Sequence, residues 1–173
     1  MASSGSIGGM DTKRCFPPVV DAHTRVLVLG SLPGEASLAA GQYYAHPQNQ
    51  FWRLASAVLG EDLAALAYAD RLERLRARRF GLWDVVAEAR REGSLDSHIK
   101  AHVGNDLTTL VTGLPELAAI GFNGKTAARI GLQQLGGVGD RYSLVHLPSS
   151  SPAHTTAFET KLAQWRALGE WLK

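Results

Sequence analysis

The sequence predicts an α/β protein, a three-layer sandwich around a mostly parallel central sheet. Three stretches carry that expectation: "TRVLVLGSLPG", "PELAAIGFNGKTAARIGLQQL" and "YSLVHLPSSSPAH". Each holds a short branched-aliphatic run that stops abruptly at a turn rich in Gly, Asn or Ser, the pattern of a buried strand closed by a tight turn. Amphipathic helical patterns lie between them, and strands alternating with helices build a parallel sheet covered on both faces. At 173 residues the chain suffices for one domain with a sizeable core.

Taken in order, residues 1–17 are expected to be a flexible tail and residues 18–173 a single domain. The opening MASSGSIGGM lacks the basic start and apolar core of a secretory signal. The first strand ends at Gly30. Helices are expected at about Asn49 to Leu59, Leu63 to Arg79 and Leu107 to Thr112. Within the second, "RLERLRARRF" turns Leu72 and Leu75 inward and Arg71, Arg74, Arg78 and Arg79 mostly outward, which favours an exposed helix face over a DNA contact. "RRFGLWDVVAEARREGS" adds a short strand or loop at Leu82 to Val85 leading into a helix. A second strand ends near Phe122, with a turn at Asn123-Gly124 and a helix from about Thr126. The last helix is expected from about Thr155 to Leu172.

Composition removes several function classes. No apolar run approaches the ~18 residues of a membrane span. A single cysteine, Cys15, forms no internal disulfide and holds neither zinc nor an iron–sulfur cluster on thiolates, so a reducing cytoplasm is the expected home and no cofactor or metal is implied. A net charge of +2 and a pI near 8.9 permit a nucleic-acid partner without requiring one.

Familiar motifs are absent. "GSLPG" lacks the frame of a dinucleotide loop, and "GFNGKT" has Ala119 where a Walker loop needs its first glycine. Ser150 with His146 or His154 has no Gly-x-Ser-x-Gly elbow and no clear acid partner. His98 and His102 sit four apart, a spacing read here as a helix-surface pair rather than a ligand pair.

What remains is "YYAHPQNQFW", residues 43–52, with four aromatic rings beside His, Gln and Asn and no formal charge. Aromatic faces stack on heterocycles, while Asn and Gln present donor and acceptor together and match a base edge. Turn glycines let a backbone approach closely, and the Pro-stiffened serine loop offers hydroxyls and amides to phosphates. On the predicted layout these loops fall at or near the carboxyl ends of parallel strands, where α/β sheets place their sites. A nucleobase held in a hole, with DNA gripped by its backbone, fits this chemistry.

These loops resemble the signature segments of the uracil-DNA glycosylase superfamily: "GSLPG" after a hydrophobic strand, "YYAHPQNQFW" about ten residues on, and "LPSSSPAH" after the last strand. The middle segment is similar to the Ala-His-Pro-x-Asn-x-Phe-Trp of the mismatch-specific uracil/thymine branch, and the whole looks most like the hypoxanthine (deoxyinosine) branch. The resemblance runs from about Arg25 to the carboxyl terminus. It implies the superfamily fold, a monomer acting on DNA that carries a deaminated base, and hydrolysis of the N-glycosidic bond of a flipped base, with hypoxanthine as the expected base.

Site roles follow from the resemblance, each beside a structural reading. The water loop is Gly30, Ser31, Leu32, Pro33 and Gly34. Leu32 stands where the superfamily usually has Asn or Asp to position water, and leucine does neither; in the hypoxanthine branch the role passes to the asparagine matching Asn49. Asn49 is therefore the expected catalytic side chain, orienting water or polarising the base, and a helix cap is its structural alternative. Tyr44 matches the ring that stacks on the extruded base, with Tyr43 as helper or core aromatic. His46 hydrogen-bonds the loop or a phosphate, or simply stiffens His-Pro. Asp84 and Asn123 are candidate readers of the base edge, with a cap and a turn asparagine as alternatives. Ser149, Ser150 and Ser151 resemble the phosphate-pinching segment, and Ala153 and His154 lie where relatives push a wedge into the duplex; so small a residue as Ala153 argues against deep penetration. No lysine sits in a recognised nucleophile motif, which implies a monofunctional enzyme. The rivals are a uracil or thymine mismatch glycosylase and a non-catalytic reader of damaged DNA, which Leu32 keeps open.

Overall fold

A computed structural model describes residues 11–91 and 99–173. In chain order the elements are β1 (Asp11–Arg14), β2 (Val26–Gly30), α1 (Glu35–Ala40), α2 (Phe51–Leu59), α3 (Tyr68–Ala77), β3 (Phe80–Asp84), β4 (Val86–Arg91), β5 (Ile99–Gly104), α4 (Leu107–Thr112), β6 (Ala119–Asn123), α5 (Lys125–Leu135), β7 (Ser143–Leu147) and α6 (Phe158–Trp165). Strands β3, β2, β6 and β7, in that order, form a wholly parallel sheet. The register sets Gly30 opposite Asp84 and Asn123 opposite Leu147. The residues that end these strands therefore share one edge.

Alternation along β2 divides the core in two, because successive strand side chains point to opposite faces. Val26 and Val28 join Phe51, Leu54, Leu75 and Trp165 of α2, α3 and α6 on one face. Leu27 and Leu29 join Leu107, Val111, Ala127 and Ile130 of α4 and α5 on the other. Helices thus cover both faces of the sheet, the three-layer sandwich expected from sequence. No helix among the described residues is long and apolar enough to cross a membrane.

Several expectations need correction. The tail expected over residues 1–17 is shorter, because β1 pairs antiparallel with β4 and the Phe16 and Pro17 carbonyls accept bonds from Trp83 Nε1 (3.0 Å) and Tyr43 Oη (2.9 Å); residues 1–10 lie outside the described residues. The helix expected after Val85 is instead strand β4, which joins β1 and β5 in a separate antiparallel sheet, β1-β4-β5. Ala, Glu and Arg favour helix locally, and pairing with segments distant in sequence overrides that preference. His102 accordingly lies on β5, not on a helix; its expected neighbour His98 is outside the described residues.

The helix expected over Leu63 to Arg79 is a 3-10 turn, Leu63–Ala65, followed by α3. Extended backbone at Leu66 and Ala67 separates them, and Arg71 spans the break by donating to the Ala64 and Leu66 carbonyls at 3.0 Å each. Arg74 grips Glu61 at 2.8 and 2.9 Å, and Arg78 bonds both Glu61 and the Leu59 carbonyl, 2.8 Å away, at the end of α2. These arginines bind the fold to itself. The last helix likewise ends at Trp165 and continues as a 3-10 segment, Arg166–Trp171.

Candidate active site

A cleft of about 690 Å³ opens at the carboxyl edge of the parallel sheet, within the size range of small-ligand sites. Its wall includes Gly30, Ser31, Leu32, Pro33 and Gly34 from the loop after β2, Tyr44, His46 and Asn49 from the aromatic segment, and Asp84 from the end of β3. Asn123 from the end of β6 and Ser149, Ser150, Ser151, Ala153 and His154 from the loop after β7 complete it. Every residue singled out from sequence for the site lines this one cleft. The fold brings them together because parallel strands end on the same edge.

At the floor Gly30 admits no side chain. A Cβ there would lie 2.6 Å from Tyr44 Oη and 2.7 Å from Asp84 Oδ1, distances that real Cβ atoms do not tolerate. Asp84 is buried, and its backbone carbonyl accepts from Asn105 Nδ2 at 2.7 Å, which fixes the end of β3. Leu32 is also buried and packs with the α4–α5 side of the core. It walls the cleft with hydrocarbon.

Tyr44 has left-handed backbone, φ 54°, rare for a residue with a bulky side chain. Phe51 stacks on its ring at a centroid distance of 4.2 Å and an interplanar angle of 16°, and Asn123 Nδ2 donates to its hydroxyl at 3.2 Å. The ring is thus held from one face and from its tip. Tyr43, the neighbouring ring, is core: its hydroxyl donates to the Pro17 carbonyl, its main-chain amide donates to Tyr68 Oη at 2.9 Å, and burial pushes its phenol well above the usual range.

Asn49 Oδ1 accepts the Phe51 main-chain amide at 2.9 Å. The structural alternative is therefore half realised: Asn49 closes an Asx turn into α2, while Gln50 occupies the cap position. Oδ1 uses one of its two lone pairs in that turn, and the Nδ2 amide is the group of this cleft-lining side chain that can donate. His46 is exposed, and its Nδ1 accepts the Gln48 amide at 3.0 Å, which stiffens the His-Pro turn.

Asn123 is the joint of the site. Its Oδ1 accepts the Ser150 amide at 2.9 Å, and its Nδ2 donates to Ser150 Oγ at 2.9 Å as well as to Tyr44. Both ends of its side chain are thus engaged within the protein. The serine loop is pinned at the same place by the Gln50 amide, which donates to the Ser150 carbonyl at 3.0 Å. Ser149 Oγ accepts the Ser151 amide and Ser151 Oγ accepts the Ala153 amide, both at 3.1 Å. A hydroxyl that accepts from the main chain keeps its own proton for another acceptor. Ser150, only 1% exposed, is an anchor rather than an outward donor. Ala153 is exposed, and His154 Nε2 lies 2.9 Å from Thr156 Oγ1.

Sequence reasoning passed over Glu35, Ser37, Gly124, Lys125 and Thr126, which also line the cleft. Gly124 carried a visible signal, an Asn-Gly turn: its φ is 98°, and a Cβ there would sit 3.1 Å from the Ser149 Cβ, so the serine loop packs directly on it. Glu35 and Ser37 follow the first loop on α1, and neither has a motif of its own. Among the described residues no group of three or more His, Cys, Asp or Glu side chains is gathered as a metal site.

Comparison with known proteins agrees with this geometry. A protein from Methanosarcina barkeri named hypoxanthine DNA glycosylase is 40% identical over 155 residues, covering 88% of this chain and 95% of its own. One of the same name from Methanosarcina acetivorans is 42% identical over 156 residues, covering 90% and 97%. A solution NMR structure from Methanosarcina acetivorans, described as a candidate uracil DNA glycosylase, superposes with a TM-score of 0.82 at 41% identity, covering 93% of this chain and 98% of that one. The profile of the Uracil DNA glycosylase superfamily matches residues 17–173, from the β1–β2 connection through every loop of the cleft, and the chain belongs to that superfamily.

Proposed function

We propose that this protein is a monofunctional DNA glycosylase of base excision repair, which flips a deaminated base into the cleft and hydrolyses its N-glycosidic bond, with hypoxanthine the preferred base. The observation that carries the reading is the convergence of the three loops on one cleft with a braced aromatic ring, an amide donor and a hydroxyl-bearing loop. The two relatives named for hypoxanthine support the choice of base.

In the proposed mechanism Ser149 and Ser151 donate to phosphates beside the target nucleotide, with His46 and His154 near the same strand and Ala153 at the gap left in the stack. Extrusion costs a few kcal/mol, least for a mismatched or damaged pair, so discrimination begins before the pocket is reached. Tyr44, braced by Phe51 and Asn123, receives the base on its ring. Asp84 accepts from an N–H on the base edge, a donor that hypoxanthine supplies at N1. Asn49 Nδ2 donates to the departing base as negative charge grows on it, the point at which a pre-aligned donor lowers the barrier. A donor serves the leaving group, and Asn49 Oδ1, which accepts the Phe51 amide on one lone pair, keeps a second with which to orient water. Leu32 excludes water from one wall. The acceleration then rests mainly on stabilising an oxocarbenium-like state.

A second reading, release of uracil from mispairs, is favoured by the relative described as a candidate uracil DNA glycosylase. The two are separated by incubating the protein with labelled duplexes carrying deoxyinosine or deoxyuridine opposite guanine. The proposal expects release of hypoxanthine in preference, with a full-length strand that breaks only after alkali. Preferential uracil release would move the specificity to the second reading, and a nick without alkali would overturn the monofunctional assignment.

A further inference from the structure

Helix α6 holds the serine loop from beneath at two points of one helix face. Trp165 Nε1 donates to the Pro148 carbonyl at 2.9 Å, and Lys161, one turn earlier, donates from Nζ to the Ser151 carbonyl at 3.4 Å. Trp165 is fully enclosed, as its size and apolar body favour. Lys161 is the anomaly, because as a residue it is only 1% exposed.

Among the described residues the Ser151 carbonyl is the one hydrogen-bond acceptor that the ammonium reaches, and no carboxylate pairs with it. Taking an ammonium out of water costs several kcal/mol when it is so poorly compensated. Burial accordingly pushes its pKa down. A loop tether alone does not call for a charge, since the Trp165 bond is neutral. Ser149 and Ser151 of the same loop line the cleft, which Lys161 does not, and their hydroxyls are neutral donors. Lys125 is the cation on the cleft wall, and it is exposed, where solvent weakens its pull.

We propose that Lys161 is a positioning residue for DNA binding: its buried ammonium fixes the Ser151 carbonyl and places a positive charge directly behind the serines that take the phosphate. The proposal rests on the glycosylase reading for the identity of that phosphate. Charge in a low-dielectric setting acts on an anion more strongly than the same charge in water. It also acts on the backbone, so its contribution is the same whichever base occupies the pocket.

The test measures the Kd of a duplex carrying a tetrahydrofuran abasic analogue across a range of salt, for the native protein, Lys161→Gln and Lys161→Met, beside melting temperature and single-turnover release from a deoxyinosine duplex. Gln keeps a donor for Ser151 and loses the charge; Met loses both. The expected result is a rise in Kd of about tenfold for both variants, and a plot of log K against log salt shallower by about one unit. Melting temperature should not fall, because removing a poorly paired buried charge relieves its desolvation cost. Unchanged Kd and slope in a folded Lys161→Gln protein would overturn the inference. So would a loss of binding in Lys161→Met that tracks a lowered melting temperature while Lys161→Gln keeps the native salt slope. A native protein that releases no base, yet whose DNA binding responds to these substitutions as stated, would sink the glycosylase reading and leave the role of Lys161 standing.

Discussion

Gly30 bears the strictest steric condition in the site, because Tyr44 Oη and Asp84 Oδ1 both close over its α-carbon. Gly30→Ala is expected to displace Tyr44, Asp84 or both, and to lower single-turnover base release by at least about a hundredfold, a size known when catalytic groups are misplaced by about 1 Å. Circular dichroism should still show native secondary structure, since Gly30 is the last residue of its strand. Retained activity in the folded variant would mean that the tyrosine and carboxylate do not act from these positions. At this scale the sequence was informative about which residues gather and less so about what each one does. Asn123 was a candidate base reader or a turn asparagine, and in the fold its amide joins Ser150 to Tyr44. Ser150 was grouped with Ser149 and Ser151 as a phosphate-pinching segment; it is enclosed, whereas its two neighbours are half-buried. Residue type and position do not reveal which end of an amide is already bonded; only the folded geometry does.

At the scale of elements, the parallel strands and most helices were legible because their apolar runs and turn residues are local signals. Strands β1 and β4 were not. "DTKR" has no apolar alternation, and "VAEARR" favours helix locally, so their pairing depends on partners far away in the chain. The break before α3 was hidden for a similar reason: Arg71 closes it with its side chain. The junction of α2 and α3 yields a pH prediction. Hydrogen bonds from Arg74 and Arg78 hold the Glu61 carboxyl at about 2, below its ordinary 4.5. A folded-state value below the unfolded one stabilises the fold fully above about pH 4.5, and that contribution fades as pH falls towards 2. Glu61→Gln should therefore lower the urea midpoint modestly at pH 7, as is usual for a partly exposed ion pair, and the gap from the native protein should narrow at pH 3. An equal gap at both pH values would show that the ion pair is not the source of the loss.

For the whole molecule, the decisive feature is that β2, β3, β6 and β7 end together, so that loops distant in sequence meet at one cleft. That meeting was predictable from the rule that parallel sheets bind ligands at the carboxyl ends of their strands. The support behind it was not. Helix α6 lies more than a hundred residues after the aromatic segment, and nothing in "FETKLAQW" marks Lys161 as the residue beneath the serine loop. Phe51 and Trp52 are both in the core, and Phe51 also braces the ring proposed to receive the base. Core and site thus share side chains, and the rigidity of one is passed to the other.

In the proposed reaction this cleft breaks an N-glycosidic bond with Asn49 as donor to the departing base. Single-turnover release of hypoxanthine from a deoxyinosine duplex at saturating protein, native against Asn49→Ala, tests it most directly. The expected rate is lower by about a hundredfold or more in the variant, the scale seen when one donor to a developing anion is removed, with Kd for the abasic duplex changed less than about threefold. Equal release rates in the two proteins would remove Asn49 from the reaction, and a native protein that binds the duplex and releases no base would overturn the glycosylase assignment.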